Sequence, residues 1–272
     1  MKLARPDVFH PRIVLAGSPQ HASGAGDDAG LVAALRQRGL HARWLSWDNP
    51  DTAHADLVIL RATHDYAGRL EGFLAWSNRV KNLLNATNVV TWNADRRYLL
   101  DLSARGVPTV PGEAFAPGER IQLPRHDDVF VSPLIGTGTR RFSERSAAAD
   151  YAAELSEGAW VQPASGPETV LVFLAGKPSH AFPPEPDFEL WDVGAAALAA
   201  VADQLDIGAS ELLYAQAHLS GSKLLELQLV DPSLGWRRLD AGTRDLAQRE
   251  FALAVESACE RLGLGPFSHR RP

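Results

Sequence analysis

Asp56-Leu57-Val58-Ile59-Leu60-Arg61-Ala62-Thr63-His64-Asp65-Tyr66 passes directly from an aliphatic run to a cluster of polar and ionisable side chains. A short apolar run of this kind predicts a strand buried on both faces, as in a parallel sheet. The polar groups then emerge at the strand's carboxyl end, where open α/β sheets bind ligands. Arg61 has the fork geometry to clamp a carboxylate in bidentate fashion. His64 and Asp65 add acid–base capacity, with Thr63 and Tyr66 on the same stretch. The spacing fits equally a plain turn capped by Thr63 or Asp65.

Working outward, the flanks repeat the strand–helix alternation. Ile13 to Gly17 is a second apolar run ending in glycine. A glycine-rich loop over residues 21–28 follows, then a helix through Leu31 to Leu35 closed by Gly39. Ala42 to Trp47 alternates like a strand. Phe73, Trp76, Val80, Leu83 and Leu84 recur at helical spacing, which predicts a helix over 70–84. Val89-Val90 predicts one further strand. Together these make a small open sheet, mainly parallel, covered by helices.

From Asn93 the pattern changes. A helix over 95–105 is expected, capped by Asn93 or Asp95 and ended by Gly106. A Pro- and Gly-punctuated stretch then carries short strands near Val129 to Val131 and Trp160-Val161, with a helix over 145–155 between them. Val170 to Leu174 turns through Ala175-Gly176-Lys177 into Ser179 to Phe182 as a hairpin. The prolines at 183, 184 and 186 predict irregular chain. A helix over 194–205 precedes strands over 212–219 and 223–230, joined at Ser220-Gly221-Ser222, and the last helix covers 246–262. The class is α/β, α+β overall, in three parts: an N-terminal α/β domain over 1–92, a central or lid subdomain over 93–163, and a C-terminal sheet subdomain over 164–272.

Composition narrows the function. The chain has 272 residues, 45% of them hydrophobic, and a formal net charge of −6 with a pI near 5.8, which excludes a generic basic nucleic-acid binder. A lone cysteine, Cys259, excludes an internal disulfide framework and Cys-cluster metal sites. No apolar run approaches the roughly 20 residues that span a bilayer, and Met1 to His10 lacks the pattern of a secretory signal. A cytoplasmic protein with a small-molecule ligand, no nucleic-acid or membrane partner, and a homodimeric state compatible with the fold is expected.

Two further strings carry polar side chains at regular spacing. Tyr214, Gln216 and His218 share one strand face, as do Glu226 and Gln228, with Asp231 just beyond. Paired, these faces meet; the same periodicity also describes a solvated sheet face. Leu134-Ile135-Gly136-Thr137-Gly138-Thr139-Arg140-Arg141 could approach phosphates through backbone N–H groups or be a flexible hairpin tip. The nine histidines show no paired zinc spacing. Ser18, Ser103 and Cys259 sit in no recognisable nucleophile setting.

Taken in order, these strings resemble the ATP-grasp ligases. They include Trp47-Asp48, Arg61 to Tyr66, Phe73 to Trp76, and Trp92-Asn93-Ala94-Asp95-Arg96-Arg97-Tyr98-Leu99. Further along come Val131-Ser132-Pro133, Trp160-Val161-Gln162-Pro163, Leu213-Tyr214-Ala215 and Leu224 to Leu234. The branch is that of the cyclo-ligase making D-cycloserine, related to prokaryotic glutathione synthetase. The resemblance implies an N-terminal open sheet, a lid and an antiparallel C-terminal sheet. It implies ATP and Mg²⁺ as cofactors, lysines on the phosphates, and acidic or amide groups of the last strands on the metal. Carboxylate activation as an acyl phosphate and attack by an amine would follow.

This chain departs from that pattern where phosphate and metal are held. Arg96 and Ser132 stand where lysines are expected, and the glycine–glutamate element is reduced to Pro167-Glu168. Gln216 and His218 replace an arginine and an aspartate, and the carboxylate set reads Glu226, Gln228 and Asp231. Losing two charged hydrogen bonds at about 1.5–3 kcal/mol each removes about 3–6 kcal/mol, on the order of a hundred- to ten-thousand-fold in nucleotide affinity. The expectation is a degenerate ATP-grasp protein binding or converting an amino-acid- or peptide-like molecule in the interdomain cleft. Arg61, Thr63, Asp65, Tyr66 and Gln216 would contact that molecule, with His64 or His218 as general base. The alternative is a working carboxylate–amine ligase. There Arg96, Ser132, Arg140, Gln162 and Glu168 serve the nucleotide, and Glu226, Gln228 and Asp231 the metal. A non-catalytic regulatory protein is the third reading.

Overall fold

The computed structural model describes residues 9–23, 26–125 and 128–266. Residues 24 and 25 of the expected glycine-rich loop, and most of the N-terminal segment weighed for a signal, lie outside the described residues. The chain groups into two compact units: residues 1–87, 210–214 and 231–272 form unit 1, and residues 88–209 and 215–230 form unit 2. The sequence reading drew its boundaries at 92/93 and 163/164 and ran its last part continuously to the terminus. The contacts instead return residues 231–272 to the N-terminal sheet.

Unit 1 is built on β1 (Ile13–Gly17), α1 (Leu31–Gln37), β2 (Ala42–Ser46), β3 (Leu57–Ala62), α2 (Leu70–Ser77) and β4 (Leu83–Leu84). The four strands form a parallel sheet in the order β2-β1-β3-β4. Residues 13–16 of β1 and 57–60 of β3 are at most 1% exposed, the burial on both faces that continuous apolar runs require. Gly39 ends the first helical segment at φ +80°, as expected.

The helix expected over 70–84 stops at Ser77. There the Ser77 hydroxyl and the Asn78 amide both donate to the Leu74 carbonyl, side-chain competition that closes the helical ladder. Leu83 and Leu84 then pair in parallel with Val58 and Ile59. Short apolar runs do not distinguish strand from helix by periodicity alone, and here the sheet edge decides.

The strand expected at Val89-Val90 is helical instead. It lies in α3 (Thr87–Asn93), which buries Val89, Val90 and Asn93 on one face. Packing of that face overrides the β preference of the two valines. α4 (Tyr98–Ala104) is shorter than expected, and Gly106 terminates it at φ +83°. Asp95 accepts from the Arg97 backbone N–H just before the helix, whereas Asn93 bridges to the Leu227 carbonyl and the Leu229 N–H and caps nothing.

The rest of unit 2 comprises β5 (Glu113–Phe115), β6 (Val129–Pro133), β7 (Arg140–Phe142), α5 (Arg145–Glu154), β8 (Ala159–Pro163), β9 (Glu168–Leu174), β10 (Lys177–Phe182), α6 (Phe188–Leu205), β11 (Tyr214–Ser220) and β12 (Lys223–Gln228). Tyr214 itself belongs to unit 1. The strands form two antiparallel four-stranded sheets, β5-β8-β6-β7 and β10-β9-β11-β12. The β9–β10 hairpin turns at Ala175-Gly176, both at positive φ, as the hairpin reading required.

A close approach in the first sheet gives a direct test. A Cβ on Gly112 would stand 2.3–2.4 Å from the Trp160 indole, itself 1% exposed and hemmed in. Gly112→Ala is therefore expected to cost about 1–3 kcal/mol by overpacking, read as a lower urea midpoint at unchanged slope.

The chain closes unit 1 with α7 (Ala241–Arg261), which starts earlier than the expected 246 because Asp240 caps the N–H groups of Gly242 and Thr243. Its Gln248 amide donates to the Ala29 carbonyl, and Arg38 pairs with its Glu256. Among the described residues no helix is long and apolar enough to cross a membrane.

Candidate functional site

In unit 1 the polar string lies where the strand reading put it, at the carboxyl end of β3, but Arg61 is turned inward. Its residue is 2% exposed, and its Nε and Nη2 both contact Asp28 Oδ1 at 2.9 Å. The guanidinium lies 5.2 Å from the Tyr214 ring centroid and 5.8 Å from that of Trp236. Burial works to lower its pKa, but the pull of Asp28 and its neighbours outweighs that and holds it raised, so Arg61 stays a cation. Burial outweighs Arg61 at Asp28 and raises that carboxyl.

His64, on the exposed side, sets Nδ1 2.7 Å from Asp231 Oδ2, an oxygen on a side chain only 1% exposed. That contact raises the imidazole pKa, since it favours the charged form. Arg61 Nη1, Thr63 Oγ1, Asp231 Oδ1 and the Trp236 indole N–H are buried without a hydrogen-bond partner among the described residues. Buried polar atoms rarely stay unpaired, so this group of donors and one acceptor is poised for a polar guest or for water. Asp65 accepts from the Trp47 indole N–H and pairs with Arg69, and Tyr66 is buried against Phe73. These two belong to the packing under the string rather than to its open side.

Unit 2 holds the second cluster. Arg96 follows α3 and Glu226 lies on β12; both are almost fully buried, and Arg96 Nη2 meets Glu226 Oε1 at 2.8 Å. The Gln228 amide donates to the same oxygen at 3.0 Å, while Thr139 Oγ1 donates to Oε2 at 2.6 Å. Ser132 donates to Thr139 in turn. Arg96 also donates to the carbonyls of Pro133 and Gly136. Burial would raise the Glu226 carboxyl, but Arg96, His218 and the Thr139 hydroxyl outweigh it and bring its pKa down to about 2. His218 stands directly opposite Glu226 in the β11–β12 register, and Gln216 opposite Gln228.

The other nucleotide candidates are scattered. Gln162 donates to the carbonyls of Val110 and Leu225 and leaves Oε1 unpaired. Glu168 pairs with Arg141 near the surface, and exposed Arg140 lies over the Tyr151 ring. Asp231 belongs to unit 1, where it contacts His64.

These residues do not fit the groups the resemblance implies. A magnesium site wants several carboxylate or phosphate oxygens in octahedral array. Both Glu226 oxygens already accept hydrogen bonds, and no cluster of three or more acidic, His or Cys side chains suited to a metal exists among the described residues. The cation expected on phosphate, Arg96, is neutralised by the carboxylate expected on the metal. Sequence reading missed Asp28, Trp236 and Thr139. The first two lie far along the chain from Arg61 and carry no local signal, while Thr139 sits inside the glycine string read either as a phosphate approach through backbone N–H groups or as a hairpin tip, with no role given to its hydroxyl.

Comparison with known proteins fixes the class. The fold matches a crystal structure of D-cycloserine synthetase DcsG at 26% identity and TM-score 0.74, covering 92% of this chain and 99% of that one. It also matches D-alanine–D-alanine ligase from Bacillus anthracis in complex with ATP at 14% identity and TM-score 0.65, over 93% and 98% of the two chains, a likeness of fold. The fold is that of the ATP-grasp ligases. Residues 13–88 match the family described as the N-terminal domain of D-cycloserine synthetase DcsG. The cycloserine biosynthesis protein DcsG of Streptomyces lavendulae is 36% identical over 93 residues, 32% of this chain and 31% of that protein's length. The sequence likeness to D-cycloserine synthetase is thus concentrated in the N-terminal part of the chain, and the chain's match spans about a third of that curated relative's length.

Proposed function

We propose that this chain uses the ATP-grasp scaffold to bind an amino-acid- or peptide-like small molecule, with ATP–Mg chemistry weakened or lost. The observation that carries this reading is the engagement of Glu226 by Arg96, Thr139 and Gln228, which uses the phosphate cation and the metal carboxylate on each other. The ligand would meet the carboxyl end of the unit 1 sheet. Arg61 Nη1 and Thr63 Oγ1 are donors for its carboxylate, and Asp231 Oδ1 is an acceptor for its ammonium group. His64, held through Nδ1 by Asp231, keeps Nε2 for a proton on the bound molecule.

A working carboxylate–amine ligase is the second reading, favoured by the full-length likeness to D-cycloserine synthetase. Bound ATP and magnesium would there supply carboxylate activation. Thermal-shift titration with ATP–Mg and ADP–Mg separates the two. No shift at millimolar nucleotide is the expected result; stabilisation by several degrees, which mass action requires of a bound cofactor, would establish the ligase reading instead.

A further inference from the structure

The loop after β1 holds a hydroxyl–imidazole pair that no sequence motif marks. Ser18 Oγ lies 2.9 Å from His21 Nδ1, the reach of a nucleophile and its base. The Ser18 N–H donates to the Ala62 carbonyl, which sets Ser18 beside the carboxyl end of β3. At that end Arg61 Nη1 and Thr63 Oγ1 are buried donors without a hydrogen-bond partner among the described residues. The His21 ring meets the His64 ring edge-on, 5.9 Å between centroids, and Asp231 holds His64. Ser18 is buried and His21 exposed, so the pair runs from the polar atoms toward solvent. A turn contact accounts for Ser18 and His21 but leaves the two buried donors unexplained.

We propose that this cluster hydrolyses α-amino-acid esters without ATP, with Ser18 as nucleophile and His21 as its base. The proposal rests on the amino-acid reading of the unit 1 site and names the ester as substrate, the free acid being the product. The ammonium group meets Asp231 Oδ1, and the ester carbonyl oxygen takes the place of the carboxylate on Arg61 Nη1 and Thr63 Oγ1. Ser18 Oγ bonds to the carbonyl carbon while its proton passes to His21 Nδ1. The negative charge that develops on the carbonyl oxygen falls to the two donors. The C–O bond to the alcohol then breaks, and the alcohol leaves with the proton from His21. Water gives a proton to His21 in turn, cleaves the Ser18 ester and frees the amino acid. Nothing is oxidised or reduced. An ester arrives already activated, so no phosphoryl donor is needed.

The p-nitrophenyl ester of alanine is the probe, given to the full chain without nucleotide, with nitrophenolate release followed at neutral pH. Release above the buffer rate is expected, together with an alanyl adduct on Ser18 in the intact mass and peptide map. Ser18→Ala and His21→Ala are each expected to lower the rate by about a hundredfold or more, the scale of a lost nucleophile or general base. His21 is exposed, so His21→Ala should fold even where the buried Ser18→Ala does not. His41→Ala, at an exposed histidine ahead of β2, should leave the rate unchanged. Release no faster than buffer, an unchanged rate in folded His21→Ala, or an equal loss in His41→Ala would each overturn the proposal. The assay holds no nucleotide, so its failure removes this activity alone; failure of the underlying reading shows instead as stabilisation by ATP–Mg.

Discussion

Glu226→Ala is expected to destabilise the protein by about 3–5 kcal/mol, because it leaves the Arg96 guanidinium buried and without a counter-ion. An arginine cannot shed its proton to escape that cost. Arg96→Ala should be milder, since Glu226 can take up a proton instead. Replacing both by apolar residues of similar volume, as in Arg96→Met with Glu226→Leu, should be close to neutral. The folded Glu226 carboxyl is depressed to about 2 from its ordinary value of about 4.5, so its stabilisation is present above the unfolded value. It is lost as pH falls from there toward the folded value. Urea denaturation across acidic pH should show this decline in the natural chain and not in the Arg96→Met, Glu226→Leu pair. A Glu226→Ala protein as stable as its parent would remove the buried bridge, and with it the main support for lost ATP–Mg chemistry.

The second large effect belongs to Asp28. Asp28→Ala strands the buried Arg61 cation between Tyr214 and Trp236 and is expected to cost about 3–5 kcal/mol as well. The reciprocal variant behaves differently with pH. In Arg61→Ala the Asp28 carboxyl loses the partner that was lowering its pKa, while burial still raises it. A folded value above the unfolded one gives stability that is present at low pH and lost as pH rises through it. Arg61→Ala should therefore be most stable in acid and weaken toward neutrality, measured as the urea midpoint against pH. A pH-independent loss in both variants would mean that the pair is solvated rather than buried.

That pair also revises what residue spacing implied. Read along the chain, Arg61 is a solvent-facing clamp whose removal should hardly touch stability. In the fold it spends Nε and Nη2 on Asp28 and keeps one nitrogen for anything else. The strand that carries it was plain in the sequence, because aliphatic runs buried on both faces have one low-energy setting, the centre of a parallel sheet. Its partner was not, because Asp28 and Arg61 meet only once β1 and β3 lie side by side.

Local chemistry likewise determined Gly39, Gly106 and Gly176, where a positive φ selects glycine. It failed at Val89-Val90 and at Leu83-Leu84, whose propensities differ by less than the packing energy that assigns them to helix or strand. The order of apolar runs, turns and polar strings thus determined by itself most of the central strands, and with them the resemblance to the ATP-grasp fold. Which ionisable groups neutralise one another, Arg96 with Glu226 and Arg61 with Asp28, was decided only by tertiary structure. Side-chain pairing across the chain is set by which backbones are brought together and how much water is expelled between them, and neither is encoded in any one segment.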